Sequence, residues 1–292
     1  MHIFEDIAEK YPTIVEKMCS AAVLAGAKIM EVYSKEEFEI EIKGDDSPIT
    51  LADRLADIVI GEVLKQNFPD IPVVSEEGHC DLKSVIGEIY FLVDPLDGTK
   101  EFIKKTGEFT VNIAVILNAK AELGVVYVPA TQELYYRGLD GLSYLERDAK
   151  TAEVRGERTQ ISCRTVDMGN LTAVKSVSHS TPETEAYIAQ YAPNNSESAG
   201  SSLKFGLVAR GVADLYPRLG RTMEWDTGAA HAVLKGAGGN VRRLDTLQEL
   251  SYGKPGMDNP YFVASGNDTA LISHDGGPRT NVGTTAHLFQ VL

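Results

Sequence analysis

The chain has 292 residues, 43% of them hydrophobic and 24% charged, a globular balance that excludes wholesale disorder and fibrous repeats. Twenty-eight lysines and arginines against 42 acids leave a net charge of −14, which opposes binding to a nucleic-acid polymer but admits a small phosphate ester shielded by cations. Three dispersed cysteines (Cys19, Cys80, Cys163) without a CxxC pair fit a reduced compartment.

The length accommodates one large or two ordinary domains with a real core. Apolar stretches such as residues 21–27 and 112–117 fall short of the roughly 20 residues a membrane span needs. The opening MHIFEDIAEK carries no apolar signal region, so the expectation is a cytoplasmic protein.

In chain order, Ile14, Met18, Ala21, Ala22, Ala25, Ile29 and Val32 recur at helical spacing. Phe38, Ile40 and Ile42 alternate with Glu39, Glu41 and Lys43, as in a half-buried strand. After a turn at residues 44–48, Thr50-Leu-Ala-Asp53 has capping-box spacing and opens a second helix through Leu55, Ile58, Val59 and Val63. Short β-rich runs follow at 71–75, 88–93, 110–117, 124–128 and 133–137. The charged stretch 147–159 lacks periodicity and predicts a boundary, dividing the chain into 1–157 and a smaller α/β unit over 158–270. Within the second unit a strand is expected at 173–178, a helix at 183–191, a mixed block at 201–216, and a helix over 225–236 with Asp226 at its start. Residues 271–292 are left unassigned.

Chemistry concentrates in Phe91-Leu-Val-Asp94-Pro-Leu-Asp97-Gly98-Thr99. An apolar strand ends in two carboxylates at a tight turn, a pattern that can bridge hard cations. Gly98 lets backbone approach a ligand, and the free N–H groups of Gly98 and Thr99 suit a phosphate. The same residues also make an ordinary Asp-Gly turn. Aspartyl-phosphate chemistry of the haloacid-dehalogenase type uses Asp-x-Asp, and the two-residue separation here argues against it. Glu76 and Glu77 end another apolar run and are followed by Gly78, as where loops gather at one sheet edge. Asp226 and Asp53 each have a capping explanation as well.

Together DPLDGTKEF, the EE of VVSEEG, the acid of SPITLAD and EWDTGAAHAV resemble the lithium-sensitive, magnesium-dependent phosphatases of the inositol monophosphatase superfamily. Within it, GSSLKF (200–205) and LYPRLG (215–220) are most similar to the 3'(2'),5'-bisphosphate nucleotidases of the bacterial CysQ type. The resemblance runs from the first helix to about Asn267. It implies a layered α/β/α/β sandwich, an α+β half joined to a smaller α/β half, with the active site between them.

The resemblance further implies that Glu76, Asp94 and the Leu96 carbonyl hold one Mg²⁺, that Asp94, Asp97 and Asp226 hold a second, and that Glu77 touches a weaker third. Thr99 and Asp53 would orient the attacking water and take its proton. Gly98, Thr99, Ser176, His179, Ser201, Lys204, Arg218 and Asp226 would contact a small bisphosphate nucleotide. The implied reaction is hydrolysis of adenosine 3',5'-bisphosphate to AMP, and of 3'-phosphoadenylyl sulfate to adenylyl sulfate, in sulfate assimilation. The alternatives are an inositol or sugar monophosphate phosphatase, and a catalytically silent divalent-metal-binding protein. The resemblance allows peripheral association with the inner face of the membrane and leaves the oligomeric state open.

Overall fold

The structure, a computed structural model, describes residues 7–35, 40–42, 48–78, 89–152, 156–176, 180–267 and 269–274. Cys80, His179 and Phe38 lie outside them. Helix α1 (Ile14–Tyr33) buries every position of its predicted apolar stripe. Strands β1 (Ile40–Ile42) and β2 (Pro48–Thr50) pair antiparallel, and β2 runs directly into α2 (Leu51–Asn67).

The capping box at the start of α2 forms as its spacing predicts: Ala52 N donates to Thr50 Oγ1 (3.2 Å) and Thr50 N to Asp53 Oδ2 (2.7 Å). Its buried face differs in part from the expected one, although Leu55 and Val63 pack half-buried against the core as expected. Ala52, Ala56, Ile60 and Leu64 point inward, whereas Ile58 is 55% exposed. This i, i+4 row lies on the side packed against α1, with Asp53 next to it on the buried side.

The principal sheet runs in the order β3 (Val73–Ser75), β4 (Ile89–Asp97), β5 (Thr110–Leu117), β6 (Lys120–Val128), β7 (Glu133–Arg137), β8 (Ser143–Glu146) and β9 (Arg158–Ile161). β3 and β4 are parallel and the remaining neighbours antiparallel. The chain expected to change unit at 157/158 thus continues as the edge strand β9 of this sheet. Period-2 alternation divides the strands between two cores. Phe91, Val93, Val111, Ile113 and Val115 face α1 and α2, and Tyr90, Leu92, Ala114 and Ile116 face the other way.

The second sheet is ordered β11 (Asn195–Ala199), β10 (Thr172–Ser176), β12 (Leu215–Arg218), β14 (Phe262–Gly266) and β13 (Gly239–Arg243). Between the sheets lie α5 (Leu203–Ala209) and α6 (Gly228–Gly236), whose apolar residues fill the shared core. Gly124 permits that approach: a Cβ there would stand 2.1 Å from the Ala229 carbonyl oxygen. Helix α4 (Pro182–Ala189) covers the outer face of the second sheet, where Leu271 also packs. The layers therefore follow the expected α/β/α/β order, with α4 as an additional outer layer. Among the described residues no helix is long and apolar enough to cross a membrane.

Candidate active site

The pairing of β4 with β5 shifts register between Asp94 and Asp97, and this irregularity wraps both carboxylates around one bend. Asp94 is 1% exposed, and its Oδ1 accepts the Leu96 N–H (3.1 Å). Gly98 then adopts φ +92° and caps the short helix α3 (Thr99–Ile103). Any side chain there would be strained in this left-handed conformation, and its Cβ would come 3.2 Å from the Glu108 carbonyl oxygen.

Asp226 comes from the turn that precedes α6. The sequence expectation that it caps the following helix is corrected here: the N-cap of α6 is Thr227. The Asp226 carboxylate turns back to accept Met223 N (2.8 Å). Its turn is held by Glu224, fully buried, which accepts Gly253 N (2.6 Å) and Lys254 N (2.9 Å). Asn259 Nδ2 adds a bond to the Met223 carbonyl (2.7 Å). Asp94, Asp97 and Asp226 each place one carboxylate oxygen within 4.8 Å of the others'.

Bringing buried carboxylates together raises their pKa values. Asp94 is held well above the usual range, first by burial and then by the charges of Glu76, Asp97, Asp226 and Asp53. Burial, followed by Asp97, pushes Asp226 up to about 8. Such a set is stable in its ionised form only around a cation, and an all-oxygen donor set fits a hard divalent ion.

Behind this cluster sits Asp53, 3% exposed, with its two oxygens divided. Oδ2 accepts Thr50 N and Thr50 Oγ1, both at 2.7 Å. Oδ1 accepts the Thr99 hydroxyl (3.2 Å), which also lies 3.3 Å from the Leu96 carbonyl. One carboxylate therefore closes a helix cap and faces the hydroxyl of α3.

Glu76 and the three aspartates border a cleft of about 270 Å³ that Leu96, Gly98 and Thr99 also line. Ser176, Ser201, Lys204 and Arg218 border the same cleft. Lys204 is 6% exposed; its Nζ donates to the Ser201 carbonyl (2.5 Å) and lies 5.4 Å from the centre of the Tyr216 ring. Burial lowers its pKa to about 8 against the opposing pull of Asp97. Ser201, at φ +50°, donates to Asp97 Oδ2 (2.6 Å). Glu77 is half-buried and does not border the cleft, and His179 lies outside the described residues.

Sequence reasoning missed Ser202 and Glu101. Ser202, 1% exposed, is bonded to both the Asp97 carboxylate and the Asp226 carbonyl, and Glu101, 4% exposed, lies on the cleft wall. Ser202 had no signal separate from its neighbour in Gly-Ser-Ser. Glu101 sat within the recognised DGTKEF run without a role.

The profile of the inositol monophosphatase family matches residues 11–274. The chain is 44% identical over 251 residues to a protein of Salmonella typhimurium named 3'(2'),5'-bisphosphate nucleotidase CysQ, covering 84% of this chain and 98% of that one. Its identity to the protein of the same name from Escherichia coli strain K12 is 42%, with the same coverage. The crystal structure of CysQ from Bacteroides thetaiotaomicron superimposes with a TM-score of 0.79 at 40% identity, covering 89% of this chain and 99% of that one. An inositol monophosphatase from Anabaena shares the fold, with a TM-score of 0.66 at 21% identity over 89% of this chain and 92% of that one. With the family profile spanning nearly all of the described chain, and the carboxylates of its motifs converging in one cleft, the protein belongs to the inositol monophosphatase family.

Proposed function

We propose that the chain is a 3'(2'),5'-bisphosphate nucleotidase that hydrolyses adenosine 3',5'-bisphosphate to AMP and inorganic phosphate, and 3'-phosphoadenylyl sulfate to adenylyl sulfate. One juxtaposition supports this reading most. A single cleft is lined both by the carboxylates Glu76, Asp94, Asp97 and Asp226 and by the cations Lys204 and Arg218. A substrate carrying two anionic groups fits such a cleft, one group at the metal cluster and the other against the cations. The names of the relatives point the same way.

Glu76, Asp94 and the Leu96 carbonyl would hold one magnesium ion, Asp94, Asp97 and Asp226 a second, and Glu77 would reach a third. Bound magnesium supplies positive charge for the phosphate oxygens and acidifies a water. The Thr99 hydroxyl has a single proton, and its bond to Asp53 Oδ1 leaves its lone pairs to accept from that water. The proton then passes by way of Thr99 to Asp53, general-base help worth about 10²- to 10⁴-fold. The water oxygen bonds to phosphorus, the bond from phosphorus to the ribose 3' oxygen breaks, that oxygen leaves as an alcohol on taking a proton from a solvent water, and Asp53 returns its proton to solvent. Ser201, Lys204 and Arg218 anchor the second anionic group, with Ser176 and His179 towards the adenosine.

The test is the identity of the product. Adenosine 3',5'-bisphosphate incubated with protein and Mg²⁺ should give AMP and phosphate by chromatography. Accumulation of adenosine 3'-phosphate would mean that the 5' group occupies the metal cluster, and would overturn the proposed orientation.

A further inference from the structure

A serine immediately before a helix normally turns its hydroxyl onto the first N–H groups. Ser202 precedes α5 and makes no such bond. Its Oγ lies instead 2.9 Å from Asp97 Oδ2 and 3.0 Å from the Asp226 carbonyl oxygen, and accepts the Asn112 amide (3.0 Å). Asp97 ends a strand of the principal sheet, Asp226 precedes α6, and Ser202 begins α5, so one hydroxyl stands where three segments of two units meet.

Asn112 is itself an anomaly. It is 1% exposed in the otherwise apolar strand Thr110–Leu117, where a polar side chain is retained only if its bonds are made. Its Nδ2 goes to Ser202, and its Oδ1 lies 3.2 Å from Thr110 Oγ1. Thr110 Oγ1 lies in turn 2.5 Å from Ser201 Oγ, which donates to the same Asp97 Oδ2. The chain of buried polar groups converges on one oxygen of Asp97. With Oδ2 held by two hydroxyls, the carboxylate cannot rotate without breaking both bonds, and Oδ1 stands outside them.

We propose that Ser202 is a positioning residue for the divalent-cation site, locking the Asp97 carboxylate and the Asp226 turn in mutual register across the two units. The inference rests on the cation reading given above. It assigns Ser202 no contact with substrate or cation. Outer partners of this kind typically change metal affinity by 10–100-fold, and the loss should appear in cation binding before substrate is present.

The experiment is calorimetric titration of Mn²⁺ into metal-free protein without nucleotide, for wild type, Ser202→Ala and Ser202→Thr, with melting temperatures in EDTA. Ser202→Ala should bind about 10–100-fold more weakly. Its metal-free melting temperature should fall by no more than about 10 °C, the scale of the buried Asn112 amide left without its acceptor, and the protein should still unfold cooperatively. Ser202→Thr keeps the hydroxyl, and a small void of about 10 Å³ bordered by Ser202, Gly206 and Val233 leaves the neighbouring side chains some slack to shift around the added methyl group. It should return to within about 3-fold of wild type, well inside the expected loss. Wild-type affinity in Ser202→Ala would overturn the proposal. Equal weakness in both variants would overturn it too, by showing that side-chain volume and not the hydroxyl matters. A wild-type protein that takes up no Mn²⁺ would instead remove the cation reading and this inference together.

Discussion

Asp53 carries a cap and a proton acceptor on one carboxylate, and its two oxygens make these roles separable by substitution. In Asp53→Ala the Thr50 N–H and hydroxyl lose their shared acceptor at a position where Thr50 is only 2% exposed. An orphaned buried donor costs about 1–3 kcal/mol, and loss of a cap interaction about 1 kcal/mol. These overlap, so a net 2–3 kcal/mol is expected, which at about 2–4 °C per kcal/mol lowers the melting temperature by roughly 5–10 °C. Asp53→Asn keeps a carbonyl oxygen for Thr50 and presents an amide to Thr99, which donates where the carboxylate accepted. Its melting temperature should stay within about 4 °C of wild type, while turnover falls about 10²- to 10⁴-fold, as in the alanine variant. Thermal denaturation beside phosphate release at saturating Mg²⁺ and nucleotide measures both. Asp53→Asn with near-normal turnover, or with the full stability loss of Asp53→Ala, would refute the division of labour.

Other outcomes follow from the same geometry. Because Asp226 is raised to about 8 and Asp94 is raised as well, while buried His231, lowered to about 4, opposes them only below its ordinary value of 6.5, the metal-free folded state binds more protons than the unfolded chain between pH 6.5 and 8. Its stability should therefore fall as pH rises through that window. Mg²⁺ should restore more stability at pH 8 than at pH 6, and its uptake at pH 7 should release protons, detectable by calorimetry in buffers of different ionisation enthalpy. Lys204→Ala should reduce kcat/KM for adenosine 3',5'-bisphosphate about 10-fold or more, a charged contact being worth about 1.5–3 kcal/mol, and leave adenosine 3'-phosphate much less affected. With its pKa lowered to about 8, the wild-type preference for the bisphosphate should fade above that pH in a kcat/KM profile. Gly124→Ala would press a methyl group against the Ala229 backbone. About 1–3 kcal/mol of stability should be lost, and turnover should fall with it as α6 and the Asp226 turn move, as read by melting and phosphate release.

Where local chemistry decides structure, the sequence was legible. The Thr50–Asp53 spacing formed its capping box, and the α1 stripe is buried throughout. The acidic motif at Asp94–Asp97 sits at the bend of β4 because a strand delivers its last side chains to one sheet edge. Where tertiary contact decides, legibility ended. Edge strand β9 has three exposed residues in four and so shows no apolar pattern; it is defined by pairing with β8. On α2, Leu55 and Val63 pack against the core as expected, whereas Ile58 is exposed and the fully buried row is Ala52, Ala56, Ile60 and Leu64, an i, i+4 set fixed by where α1 lies. Asp226 looked like a cap, but the Glu224 and Asn259 bonds set its turn one residue earlier than the helix. Ser202 is invisible in sequence because all three of its partners are distant in the chain.

The central claim is that the cleft combines a cation-dependent phosphatase centre with a receptor for a second anionic group. Side-by-side measurement of kcat/KM for adenosine 3',5'-bisphosphate and inositol 1-phosphate, with Mg²⁺ and with or without Li⁺, tests it most directly. Strong preference for the bisphosphate, dependent on Mg²⁺ and suppressed by Li⁺, is the predicted result. Equal or greater efficiency on the inositol ester, or release of phosphate from neither, would contradict it.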